Sequence, residues 1–241
     1  MTYLNWGVLD ALDGAAFRKA YPYPWVNPTG ALTEEGRAAL MASMPEMGLF
    51  TKMFGVARNY GQEPHDRYEL LDRKGLPLSG SWRDFHTELS SPRYRAFIAR
   101  MFDRKDFVIR FQWQYAVRGC SVSPHCDGLR KIGSQLFYFN DPTDWDAAWG
   151  GATLVLDDEG KLDYRSAPDF GAFAGEIPAQ SLGNTSFIFA RGDHAWHGVR
   201  PLASPEGKVR RLFSVVIDRK KPLGERLKEH VLKAFKPARP A

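Results

Sequence analysis

The spacing of apolar residues changes twice along the chain. Thr33-Glu34-Glu35 predicts a helix running toward Met44, with Thr33 as its cap and the acids in its first turn. Ser90-Ser91-Pro92 opens a second helix, Pro92 suiting an early helical position, and Tyr94, Phe97, Ile98 and Met101 place apolar groups on one face. The rest of the first hundred residues reads as helices and loops. From Asp106 the period becomes two: Phe107, Ile109, Phe111, Trp113 and Tyr115 alternate with Val108, Arg110, Gln112 and Gln114, the signature of a strand. Further strands are predicted over 135–140, 152–157, 185–190 and 209–218, while 158–179 has no pattern and reads as loop. Leu223, Leu227, Val231, Leu232 and Phe235 return to helical spacing. Helices that flank a run of strands without alternating with them predict a mainly β fold with flanking α-helices, an antiparallel sandwich or barrel. We expect one domain over 1–241: a helical and loop part at 1–105 packed on a β core at 106–218, followed by a basic helix and tail at 219–241.

With 44% hydrophobic and 25% charged residues, the 241-residue chain fits an ordinary globular protein and not a disordered, fibrous or disulfide-stapled one. No apolar run approaches the roughly 20 residues that cross a bilayer, and the start lacks the basic-then-apolar pattern of a signal peptide. Cys120 and Cys126 are too few for a disulfide framework, so a reducing, cytoplasmic setting is expected. The net charge of +5 is unevenly placed. Residues 208–241 hold eleven Lys and Arg against three acids, a surplus of eight that leaves −3 for residues 1–207. The body therefore offers no extended basic groove for nucleic acid.

Of the six histidines, His125 is the informative one, in Ser123-Pro124-His125-Cys126-Asp127. Residues two apart on extended backbone share a face, so the His125 imidazole and the Asp127 carboxylate can grip one metal ion while Cys126 points away. His197 is the best third ligand. Two histidines and one carboxylate leave open positions for a cosubstrate and O2, as in non-heme Fe(II) oxygenases. For the His-x-Asp triplet alone, a buried histidine bonded to its neighbouring aspartate is the competing explanation. The strand at 209–217 carries Arg210 and Arg211 among apolar residues, and an arginine half-buried there needs an anion, which a carboxylate ligand beside the metal would supply. Lesser candidates read as structural: His194 as a loop residue bonded to a neighbour, Trp196 as packing and Lys131 as an exposed loop lysine. Tyr21 to Trp25 reads as packing against the barrel. The glycines form no phosphate loop, since no Gly-Lys-Ser/Thr follows them.

Taken in order, these pieces resemble the 2-oxoglutarate- and Fe(II)-dependent oxygenases, especially their prolyl-4-hydroxylase-like branch, over roughly residues 110–218. Gln114-Tyr115-Ala116-Val117-Arg118-Gly119 stands ahead of His125-Cys126-Asp127. Next come an apolar run ending Phe139-Asn140, then Trp149-Gly150-Gly151-Ala152-Thr153-Leu154, and finally His197-Gly198-Val199 before the arginine strand. The resemblance implies a double-stranded β-helix, a jelly-roll (cupin-like) core with Fe(II) held by His125, Asp127 and His197. It implies O2 and 2-oxoglutarate as cosubstrates, ascorbate as a reductant, and hydroxylation of a C–H bond with succinate and CO2 as co-products. Its substrates would be a peptidyl proline, another protein side chain or a small molecule. The presence of Asp127 points to hydroxylation and away from the halogenating members, which lack that carboxylate. An arginine anchors the far carboxylate of 2-oxoglutarate in this family, with Tyr115 adding a hydrogen bond. Alternation puts Arg210 with Leu212 and Ser214, and Arg211 with Phe213 and Val215; the family's Arg-Arg-aromatic-Ser run favours Arg211 over Arg210. Two other functions use the same barrel: a Zn-dependent hydrolase on the same His/Asp/His set, and a non-catalytic binding domain.

Overall fold

The alternation that begins after Asp106 produces a strand with two different faces. A computed structural model of the chain describes residues 1–220, and its helices are α1 (Trp6–Ala11), α2 (Gly14–Arg18), α3 (Glu34–Met41), α4 (Gly80–Leu89) and α5 (Pro92–Phe102). The strands are β1 (Trp25–Val26), β2 (Thr51–Met53), β3 (Arg67–Leu71), β4 (Val108–Ala116), β5 (Val122–His125) and β6 (Lys131–Tyr138). They continue with β7 (Leu154–Asp157), β8 (Gly175–Pro178), β9 (Ser186–Ala190), β10 (Trp196–Val199) and β11 (Arg210–Asp218). One sheet runs β1-β9-β6-β11-β4-β3-β2 and the other β5-β10-β7-β8, with every pairing antiparallel. Non-consecutive neighbours such as β4 and β11 make this a jelly roll, the double-stranded β-helix core expected.

The helices cover the outer face of the larger sheet. Ser79 caps α4 and Ser91 caps α5, each side chain accepting an N–H two or three residues into its helix, and α5 stops at Asp103 in the left-handed region. Trp82 of α4 lies 5.1 Å from Trp113 and 5.0 Å from Phe213, ring centre to ring centre, and Phe85 lies 5.6 Å from Phe213. Trp82, Phe85, Trp113 and Phe213 are all fully buried. Each such side chain contributes roughly 2–3 kcal/mol of transfer free energy, so this aromatic layer holds the helices on the sheet. The opposite residues of β4, β6 and β11 (Gln114, Leu136, Leu212) point between the two sheets, where the site lies.

The structure departs from the pattern in the first hundred residues and in the stretch 158–179. Three strands lie among the first hundred residues, where only helices and loops were expected: β1 pairs with β9, and β2 and β3 extend the sheet beyond β4. At two, three and five residues they are too short to display a period of two. The stretch 158–179 is not all loop, because β8 pairs with β7 along its length. All four β8 residues are exposed, so this edge strand has no apolar alternation to read. The C-terminal helix expected within 219–241 falls, from residue 221 onward, outside the described residues.

Candidate active site

Between the sheets is a cavity of about 340 Å³. β5 ends at His125, Asp127 follows two residues later, and β10 brings His197 directly opposite His125 in the strand register. One ligand atom from each of His125, Asp127 and His197 lies within 4.8 Å of the others. All three residues are buried. The Nδ1 of His125 lies 3.0 Å from the Ser123 carbonyl, and that of His197 lies 3.0 Å from the Ala195 carbonyl. A carbonyl only accepts, so both Nδ1 atoms carry the proton and both Nε2 atoms present lone pairs to the space between them. Burial holds both imidazoles below the usual histidine range, which keeps them neutral and ready to ligate.

Burial alone would raise the Asp127 carboxyl, but the Lys131 charge and hydrogen bond, with the Arg58 charge, outweigh it and hold it below the usual range. Lys131 Nζ donates to Asp127 Oδ1 at 2.7 Å, while Asp127 Oδ2 is buried without any partner. A buried carboxylate with an oxygen left unpaired costs free energy, and a cation held by this carboxylate and the two Nε2 atoms would reduce that cost. The donor set therefore fits a divalent metal with open coordination positions.

Arg210 enters the same cavity from β11. It is buried; its Nε donates to the Gly151 carbonyl at 2.7 Å, and its Nη2 has no partner. Gly151 sits at φ +97, and a Cβ there would stand 2.9 Å from Arg210 Cδ, so glycine makes the room that the arginine occupies. The guanidinium lies over the Tyr138 ring, whose hydroxyl bonds Thr153 Oγ1 at 2.8 Å. A desolvated guanidinium with a free N–H in a cavity fits a carboxylate.

The structure places Arg211 and Tyr115, the residues expected at the cosubstrate, outside the cavity that holds the three candidate ligands. Arg211 leaves the opposite face of β11 and pairs with Asp144 at 3.0 Å. Tyr115, its partner in the strand register, donates to the Pro45 carbonyl at 2.9 Å and stacks on Phe50. Both line a separate cavity of about 360 Å³ outside the barrel. The physical reason is the pleat: Arg211 shares the helix-facing side with Phe213 and Val215, and Arg210 shares the inner side with Gln114 of β4. The polar alternate positions Gln112 and Gln114 were the signal in the sequence that marks the inner face.

Lys131, expected on an exposed loop, begins β6 and is tied to the Asp127 carboxylate. His194 bonds Asp158 at 2.7 Å, Trp196 is fully buried, and Tyr23 packs into the barrel beside Tyr138, as the pattern suggested. Cys126 is buried and its thiol is pushed up, chiefly by burial, which suits packing and not reactivity. Two residues had no signal in the sequence. His65 lies with its ring 4.3 Å from that of His125, burial lowering its pKa to about 2, and Arg58 lines the same cavity. Both come from the irregular segment between β2 and β3, which only the tertiary fold brings to the site.

By sequence, neither a family model nor a curated protein matches the chain. By structure it is similar to a prolyl-4-hydroxylase of Pseudomonas putida, at 15% identity and a TM-score of 0.60, over 86% of this chain and 98% of that one. It is similar to the non-heme alpha-ketoglutarate-dependent carbocyclase SnoK of nogalamycin biosynthesis, at 11% identity and a TM-score of 0.60, over 97% and 95% of the two chains. A prolyl hydroxylase of Trichoplax adhaerens, solved with a hypoxia-inducible-factor peptide, matches at 12% identity and a TM-score of 0.56 over 86% of each chain. The protein has the fold of the 2-oxoglutarate-dependent oxygenases.

Proposed function

We propose that the protein is a 2-oxoglutarate- and Fe(II)-dependent dioxygenase that hydroxylates a C–H bond of a small molecule or a protein side chain such as a peptidyl proline. The observation that carries this reading is the pairing, in one cavity, of the unpartnered Asp127 Oδ2 with the unpartnered Arg210 Nη2. The first asks for a cation and the second for an anion, and a metal-chelated dicarboxylate answers both. A zinc hydrolase or a plain binding barrel on the same three ligands would leave Arg210 without a role.

In this reading His125, Asp127 and His197 hold the metal, and Arg210 receives the far carboxylate of the cosubstrate. Bound iron with 2-oxoglutarate and O2 supplies oxidative decarboxylation coupled to C–H hydroxylation, with succinate and CO2 released. The chain's share is geometry and water exclusion. The Ser123 and Ala195 carbonyls fix both imidazoles in the ligating tautomer, and Lys131 holds the Asp127 carboxylate in place beside them. Gln62 donates to the Ser166 carbonyl, joining the segment after β2 to the segment after β7. A cytoplasmic location belongs to the same reading, supported by Cys120 and Cys126 being unpaired thiols.

The test is an anaerobic titration with Fe(II) and 2-oxoglutarate followed by visible absorption. A charge-transfer band that needs both additions and is lost in His197→Ala is expected. Iron bound by analysis without such a band would overturn the reading in favour of the hydrolase or binding barrel.

A further inference from the structure

The cavity holds more positive charge than the metal and cosubstrate would use. Four cations line it, and three are accounted for: Arg67 pairs with Glu69 at 2.5 Å, Lys131 pairs with Asp127, and Arg210 faces the cosubstrate position. Arg58 is the fourth. It is half-buried, no carboxylate among the described residues pairs with it, and its Nε is buried without a hydrogen-bond partner. Burial disfavours its charge and Arg67 disfavours it further, with only Asp127, whose Oδ1 already takes Lys131, acting the other way. A guanidinium kept in such a place costs free energy unless an anion reaches it.

His65 stands beside it with a defined orientation. Ser123 Oγ has one proton and gives it to the Glu63 carbonyl at 2.9 Å, so at its 3.1 Å contact with His65 Nε2 it must accept. The His65 proton is therefore on Nε2, and Nδ1 carries the lone pair. That Nδ1 has no protein partner and is not among the buried unpartnered atoms, so it is an accessible acceptor on a residue that lines the cavity. An unpaired cation and a fixed neutral acceptor, next to the ring of a metal ligand, form the remaining polar wall.

Building on the oxygenase reading above, we infer that the molecule to be oxidised carries an oxyanion, a carboxylate or a phosphate, that pairs with Arg58, and an N–H or O–H group that His65 Nδ1 accepts. A peptidyl proline is neutral at the residue oxidised and has no N–H, so it satisfies neither group. The geometry selects a small polar acid.

The experiment uses the full-length Fe(II)-loaded protein and reads succinate release stimulated by a defined panel. The panel contains the free L-amino acids and 2-hydroxy acids, phosphate monoesters of the same alcohols, the corresponding amides and methyl esters, and proline-containing peptides blocked at both ends. Stimulation by one acid class and none by its neutral counterparts is expected; which acids respond separates carboxylate from phosphate. Arg58→Gln should raise the concentration for half-maximal stimulation at least tenfold, with partial recovery in Arg58→Lys, while the charge-transfer band with 2-oxoglutarate stays in place. The inference is overturned if amides or blocked peptides stimulate as well as acids, if no acid stimulates although the band forms, or if Arg58→Gln responds like the parent. Absence of the band itself would be a failure of the oxygenase reading instead, so the two failures are separable.

Discussion

Replacing Arg210 with methionine should separate binding from folding. The guanidinium is buried, spends its Nε on the Gly151 carbonyl and leaves Nη2 unpaired in the cavity. Truncating one member of a buried, hydrogen-bonded charge pair costs about 2–5 kcal/mol; a middle value of about 3 kcal/mol corresponds to a roughly 150-fold weaker affinity for 2-oxoglutarate. Stability should move far less. The lost bond to Gly151 and the relief of an unsatisfied buried charge are both of order 1–3 kcal/mol and act in opposite directions. Arg211→Ala is the control. It removes an ion pair with Asp144 in which both side chains are about 30% exposed, worth about 0.5 kcal/mol after solvent screening. The assay is the half-saturation point of the charge-transfer band in an anaerobic 2-oxoglutarate titration, with melting temperature measured alongside. A larger shift in Arg211→Ala than in Arg210→Met would refute the assignment of the inner strand face.

Gly151→Ala should weaken 2-oxoglutarate binding about tenfold or more while retaining bound iron, because its methyl group would meet Arg210 Cδ at 2.9 Å from a backbone with φ +97; an unchanged titration would count against the cradle. His197→Ala removes one of three ligands, and iron retained after gel filtration should fall well below one per chain; full retention would take His197 out of the site. His86, stacked on Phe111 and Phe213, is held at about 4 by burial, against 6.5 in the unfolded chain. Its folded value lies below the unfolded one, so protonation favours unfolding. Stability is complete above about pH 6.5, declines as pH falls toward 4 and levels off below, by roughly 3 kcal/mol in all. His86→Phe should flatten that decline in denaturant titrations between pH 6.5 and 4, and an unchanged slope would show that another group causes it.

How much of this could be read from the sequence depended on how far each feature is local. The cluster of His125, Asp127 and His197 was legible in part because its first two members are local: they sit two apart on extended chain, while His197 lies on β10, which pairs with β5. The aromatic alternation of β4 was legible for the same reason, as were Thr33, Ser91 and Pro92 at their helix starts. Choosing between Arg210 and Arg211 required knowing which side of the pleat faces in. The arginine chosen from the family's usual run lies on the outer face, whereas the polar set Gln112 and Gln114 marks the face that lines the cavity. His65 and Arg58 had no periodicity to betray them, since their position depends on β3 joining β4 from a distance.

Both borders of the larger sheet are made by the N-terminal hundred residues: Trp25 meets Phe189 on one side, and Tyr68 meets Tyr115 on the other. During synthesis the first border strand must wait until β9 has been made before it can find its partner. Contacts this distant in sequence favour slow folding that completes late. Until then the border positions expose unpaired backbone N–H and C=O groups, which invite association with other chains. The same arrangement makes the barrel poorly suited to excision. A fragment starting after residue 105 would keep His125, Asp127, His197 and Arg210, yet it would present two open sheet edges and the bare aromatic face from which α4 and α5 had been removed.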